Sequence, residues 1–155
     1  MDKYIDFTNC PVDPYKGFRG AKGKKISITY NNEKYMLKFQ TPYLGKPTNS
    51  HVCEYLGCHV FNSLGIPAQE TILGTYKDMP VVACKDFETD GRQLLEFAML
   101  KNSIITSSEE GYGTELTDIM TTIKEQEIYP FQKLQEHFWN MYIADTLIGN
   151  FDRHN

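Results

Sequence analysis

Two strand-like runs, each broken at its middle by a two-residue polar turn, bracket a helical segment in the 155-residue chain. In the first, Ile26-Ser27-Ile28-Thr29-Tyr30 alternates and is β-branched, Asn31-Asn32 turns the chain, and residues 34–39 alternate again. In the second, residues 69–76 and 79–84 are separated by Lys77-Asp78. Each pattern predicts a hairpin. Between them the sequence predicts a helix over 50–64. Asn49 or Ser50 can cap it, and Gly65 followed by Pro67 ends it.

The remainder reads as helical. Residues 92–100 predict a short helix carrying Leu94, Leu95, Phe97 and Ala98, and 115–125 predict another. A polar, glycine-containing loop over 107–113 separates them. The strongest helix spans 131–148. Pro130 pre-sets its first turn, Gly149 ends it, and Phe131, Leu134, Phe138, Met141, Tyr142, Asp145 and Ile148 recur near a period of 3.6. Residues 10–25, rich in Pro, Gly and Lys, read as loop. Strands precede helices, so the expected class is α+β, an antiparallel sheet with one helix followed by a helical part, rather than a doubly wound sheet. The expected division is 1–88 and 89–155. The sequence carries no internal repeat and no low-complexity segment.

Composition excludes several function classes. The hydrophobic fraction of 41% and charged fraction of 23% suit a soluble globular domain. A net charge of −4 gives no global attraction to nucleic acid or anionic lipid. No run approaches the ~18 apolar residues of a membrane span. The opening residues lack the apolar stretch of a secretion signal. Neither the four histidines nor Cys10, Cys53, Cys58 and Cys84 show metal-ligand spacing. An even cysteine count permits a disulfide framework. A domain of this size needs no such staples, so reduced cytosolic thiols are the expectation.

Three constellations bear on chemistry. Gly17, Gly20 and Gly23 precede the first strand, with Lys22, Lys24 and Lys25 among and after them. Such a loop can approach phosphates closely and cradle an anion with its N–H groups. It matches neither G-x-G-x-x-G nor the P-loop, and from composition alone a solvated basic turn is the simpler account. Lys38 lies near the end of a predicted strand, and Glu54 lies on the border of the apolar face of the next helix. A kinase needs a strand lysine for the α- and β-phosphates, positioned by a helix glutamate. A solvated edge lysine is the alternative. Finally, Asp152-Arg153-His154 follows the long helix. In phosphotransferases an Asp there positions the acceptor hydroxyl. In the pattern H-R-D-L-x-x-x-N a metal-binding Asn stands five places later, which from Asp152 is position 157.

The stretches GFRGAKGKKISITYNNEKYMLKF (17–39), SHVCEYLGCHVFNSLGIPAQETILG (50–74) and IGNFDRHN (148–155) resemble the HipA-like (HipA/CtkA-type) serine/threonine kinases, in family order. The resemblance implies a kinase-like small lobe and hinge over 1–88 and a partial helical large lobe over 89–155, cut inside the catalytic loop. It implies that Asp152 is catalytic and that Gly20, Gly23, Lys38, Glu54, Lys85 and Phe87 serve the nucleotide, with residues 82–87 running into the hinge that meets adenine. ATP and Mg2+ are the implied cofactors, with the metal ligands expected beyond residue 155 and none within it. The implied partners are a protein substrate and an antitoxin-like protein in the bacterial cytoplasm, with no direct nucleic acid and no membrane. The chain itself is expected to be inactive. No serine matches the autophosphorylated loop of some family members. A phosphoinositide-type lipid kinase and a non-catalytic module of a split toxin–antitoxin system are the alternatives.

Overall fold

The computed structural model describes residues 4–18, 23–89, 91–105 and 115–150. The chain forms two compact units, Met1–Arg92 and Gln93–Asn155.

The first unit is a six-stranded sheet with one helix. Its elements are β1 (Ile5–Asp6), β2 (Val12–Asp13), β3 (Lys25–Tyr30), β4 (Glu33–Phe39), α1 (Ser50–Ser63), β5 (Thr71–Tyr76) and β6 (Met79–Lys85). The strand order is β1-β5-β6-β4-β3-β2. Both expected hairpins form, β3 with β4 and β5 with β6. Their turns place Asn31, Asn32, Lys77 and Asp78 at positive φ. Two successive positive-φ residues match the twist of paired strands. Asn and Asp tolerate that geometry better than lysine does. Lys77 is steadied by its N–H, which donates to Thr8 Oγ1 at 2.7 Å.

Two features depart from the expected antiparallel sheet. Residues 10–25, expected as loop, contain β2, and β1 also escapes sequence reading because a two-residue strand shows no alternation. In addition, β1 pairs with β5 in parallel. The reason is geometric. The four central strands are antiparallel and even in number, so the two edges run in opposite senses. One N-terminal segment that keeps its direction must be parallel to one edge, β5, and antiparallel to the other, β3.

This segment straps the core face. Phe7, Ile28, Tyr35, Leu37, Phe39, Tyr76, Val81 and Ala83 form the core on that side of the sheet. Phe7 is fully buried and meets Tyr30 edge-on at 5.2 Å. It lies over Gly74, where a Cβ would stand 2.2 Å from the Ile5 carbonyl oxygen and 2.5 Å from the Phe7 ring. Burial of such a ring stabilises by about 1.5–3 kcal/mol.

The pleat turns Met36 and Lys38 to the opposite face. Lys38 stands in register with Val82, and Val82 with Leu73. Helix α1 packs on β5 and β6. His51, Glu54, Cys58 and Phe61, spaced by three or four residues, form its least exposed stripe.

The second unit consists of α2 (Phe97–Ile104), α3 (Leu116–Glu125) and α4 (Phe131–Ile148), with α3 packed against both others. The expected start of α2 at 92 is too early. Leu94 and Leu95 are exposed, so helical residues there would bury nothing, and the helix begins where Ala98 and Lys101 can be covered. On α4 the expected stripe holds at Phe131, Leu134, Phe138, Met141 and Asp145, but Tyr142 and Ile148 are exposed and Ala144 is buried instead. Gln126 shapes the α3–α4 corner. Its Oε1 accepts from the Ile128 and Tyr129 N–H groups at 2.9 and 2.8 Å, and its Nε2 donates to the Tyr129 carbonyl at 2.6 Å. The loop expected over 107–113 lies outside the described residues. Among the described residues no helix is long and apolar enough to cross a membrane.

Candidate functional site

The alternation that buries Leu37 and Phe39 in the core sends Lys38 to the α1 side. There its Nζ lies 2.7 Å from Glu54 Oε1, and both side chains stay about one-third exposed. A lysine held this way is fixed in direction yet open to a ligand. Cys84, on the same face of β6, is fully buried. Burial pushes its thiol up to about 12, against the pull of the Lys38 charge. It is thus an uncharged neighbour of the pair. Ser27, opposite Met36 on β3, is buried and its hydroxyl has no partner among the described residues. None of the four cysteines is in a disulfide, so no disulfide framework forms.

Gly23 stands at φ +83°, and a Cβ there would meet Thr41 Oγ1 at 3.0 Å. The end of its loop therefore seats directly against the segment that follows β4. Lys24 continues the contact, with its Nζ 4.7 Å from the centre of the Phe39 ring and its carbonyl accepting from the Phe39 N–H at 3.3 Å. Gly20 lies outside the described residues.

At the far end of β6, the backbone of Lys85 is fully engaged. Its N–H donates to the Glu70 carbonyl at 2.9 Å, and its own carbonyl accepts from Gln69 Nε2 at 2.6 Å. Its ammonium pairs with Glu33 and, at 3.5 Å, with Glu70, and the Glu33 bond above all holds it above the ordinary lysine range. Lys85 thus anchors the strand end. Phe87 follows, half-exposed. Lys16 fastens the segment around it, pairing with Asp86 at 3.2 Å and with Glu88. These two partners, Glu88 first, raise the Lys16 ammonium above its usual range.

In the second unit, α4 ends at left-handed Gly149. Asp145, buried, accepts from Asn150 twice: its carbonyl from the Asn150 N–H at 2.9 Å and its carboxylate from the Asn150 amide at 2.8 Å. This fixes how the chain leaves the helix toward 151–155. Those residues, Asp152 among them, lie outside the described residues. No group of three or more His, Cys, Asp or Glu side chains that could hold a metal occurs among the described residues.

Sequence reading missed the hydroxyls around the start of α1. The side chains of Asn49 and Ser50, expected to cap the helix, do not. Ser50 Oγ instead accepts from the Thr41 N–H at 2.9 Å. The cluster of Thr41, Thr48 and Ser50 in the sequence was the available signal.

No family model matches the chain. It is 50% identical to the serine/threonine-protein kinase CtkA of Helicobacter pylori (strain J99), in an alignment covering 97% of this chain and 48% of that protein. The crystal structure of a Helicobacter pylori proinflammatory kinase CtkA matches with a TM-score of 0.90 at 50% identity, covering 99% of this chain and 52% of the other. The chain spans about half the length of the relatives it matches.

Proposed function

The chain is a homologue of the serine/threonine kinase CtkA, and from that kinship we propose that it supplies the nucleotide-gripping part of an ATP-dependent protein kinase. The observation that carries the reading is the 2.7 Å Lys38–Glu54 pair on the α1 face of the sheet, with both side chains about one-third exposed. In kinases this arrangement holds the phosphates of ATP. The glycine that seats against Thr41 fits a loop drawn close to those phosphates.

In this reading Lys38 contacts the α- and β-phosphates, and Glu54 keeps its ammonium aimed at them. Gly20 and Gly23 belong to the loop that covers the phosphates. Phe87 lends backbone groups to the adenine edge, while Lys85, its backbone already paired, sets the strand end from which that segment departs. Residues 1–88 act as the small lobe and 89–155 open the large lobe. Asp152, by kinship, orients the acceptor hydroxyl. ATP supplies the γ-phosphoryl group, and catalysis rests mainly on positioning and charge stabilisation. Mg2+ would accompany the nucleotide and neutralise charge on its phosphates. The acceptor is a protein hydroxyl, with an antitoxin-like protein as candidate partner. A net charge of −4 gives no global attraction to nucleic acid or anionic lipid, and the bacterial cytoplasm is the proposed place of work.

The test is phosphoryl transfer from Mg-ATP to protein. Residues 1–155 alone should bind nucleotide and turn it over little, since no Asn stands five places after Asp152 within them. A form of CtkA length should be active. In it, Asp152→Asn should abolish transfer and Lys38→Ala should weaken it. Asp152-dependent turnover by residues 1–155 alone would overturn the assignment of the metal ligands. A longer form that is inactive yet binds a protein partner would favour an interaction module.

A further inference from the structure

The connection between β4 and α1 closes on itself through side-chain hydroxyls. Thr48 Oγ1 donates to the Thr41 carbonyl at 2.5 Å, and Ser50 Oγ accepts from the Thr41 N–H at 2.9 Å. The Ser50 N–H in turn donates to Thr48 Oγ1 at 3.3 Å, and Gln40 Nε2 donates to the Thr48 carbonyl at 2.6 Å. Both backbone groups of Thr41 are therefore held by side chains from the start of α1.

The placement matters more than the number of bonds. Thr41 follows the strand that carries Lys38. Ser50 precedes Glu54 by four residues on α1, so the two share a helix face one turn apart. A roll of α1 that carries Glu54 away from Lys38 also draws Ser50 off Thr41. Gly23 lies against the same residue, with Thr41 Oγ1 3.0 Å from where its Cβ would be. Strand, helix and glycine loop thus converge on Thr41. Local helix energetics would ordinarily use the hydroxyl near a helix start to cap free N–H groups. Here the N-cap residue Asn49 makes no side-chain cap, and the Ser50 hydroxyl fastens the strand instead.

We propose that Thr48 and Ser50 are positioning residues for the phosphate grip, clamping Thr41 so that α1 is set with Glu54 on Lys38 before any nucleotide binds. The inference rests on the reading of Lys38 as the phosphate-contacting lysine and deepens it. The helix setting is built into the connection and does not have to be induced by the ligand. The same clamp holds the seat of the glycine loop in a common frame with Lys38.

The test uses the full 155-residue chain with ATP as the probe. Ser50→Ala and Thr48→Val each remove the clamp from one side. Each should weaken ATP binding about 2- to 10-fold, the range of a lost neutral hydrogen bond. The 15N signal of the Lys38 ammonium should move toward that of Glu54→Gln, without nucleotide present. Ser50→Thr, which keeps the hydroxyl, should restore both readouts. If Ser50→Ala and Thr48→Val leave the Lys38 signal and ATP affinity unchanged while Lys38→Ala weakens binding, the clamp is overturned and the kinase reading stands. If Lys38→Ala also leaves ATP binding unchanged, the kinase reading falls and takes the clamp with it. Should one clamp variant fail to fold, the other decides. Failure of both would make the hydroxyls folding elements and overturn the positioning role.

Discussion

Lys38 and Glu54, sixteen positions apart in sequence, meet at 2.7 Å on the face of the sheet that α1 covers. Both are partly solvated, so the pair is worth only about 0–1 kcal/mol to folding. Its value lies in direction. Glu54→Gln should shift the thermal midpoint of the first unit by no more than about 4–8 °C, following from that small energy. ATP affinity should nevertheless fall several-fold. Calorimetric titration beside a melting curve separates the two, and a large loss of stability with intact affinity would refute the assignment.

Gly74→Ala should be far more damaging than its size suggests. The added methyl would fall 2.2 Å from the Ile5 carbonyl oxygen and 2.5 Å from the Phe7 ring. Backbone cannot yield there without breaking the β1–β5 pairing. The expected cost is about 1–3 kcal/mol or more, read by urea denaturation. Amides of residues 5–13 should exchange faster with solvent than those of β4 and β6. Uniform exchange across the sheet would argue against a strap that detaches as a unit.

The first unit should lose stability in mild acid through His51. The residue is only 7% exposed, and burial lowers the pKa of its imidazole from the ordinary value. As pH falls, the unfolded chain therefore takes up this proton before the folded one. The contribution is full above about pH 6.5, the unfolded value, and is lost as pH falls from there through the lowered folded value. Asp6 and Asp13 are also lowered, Asp6 chiefly by the Thr8 hydroxyl and Asp13 chiefly by the Tyr15 amide. Their stabilisation is lost only below about pH 4. Urea midpoints at pH 7.5 and 5.5 should thus differ for the parent and converge for His51→Gln. An equal difference in both proteins would assign the slope to another group.

Thiol labelling should be ordered. Cys53 is exposed, whereas Cys84 is buried with its thiol raised to about 12. Thiolate is the reacting form. Under native conditions at neutral pH, iodoacetamide should modify Cys53 well before Cys84, as followed by mass spectrometry. Equal rates would mean that α1 leaves the sheet readily, contrary to a clamped helix.

The strongly patterned parts of this fold were readable from sequence. Asn31-Asn32 and Lys77-Asp78 marked both hairpin turns, and Pro130 and Gly149 bounded α4 to the residue. Lys38 and Glu54 were legible as candidates because strand alternation and helical spacing each place a side chain on a known face. What stayed hidden depends on contacts far apart in the chain. No local pattern announces β1 and β2, which exist because two edges need partners. Exposed Leu94 and Leu95 suggested helix where nothing covers them. The hydroxyls of Thr48 and Ser50 looked like ordinary cap chemistry, and only the tertiary course of the chain turns them onto Thr41.

The N-terminal strap also has a consequence for synthesis. Residues 5–13 leave the ribosome before the strands they pair with, and their partner on one edge is β5, at 71–76. Phe7 can be covered only after Val81 and Ala83 have also emerged, since they belong to the same core. Until then the β3–β4 hairpin has one face open, and an unsatisfied apolar segment trails ahead of it. The first unit therefore closes late. Rapid translation as far as the end of β6 should favour soluble product, and a pause near the β4–α1 connection should favour aggregation.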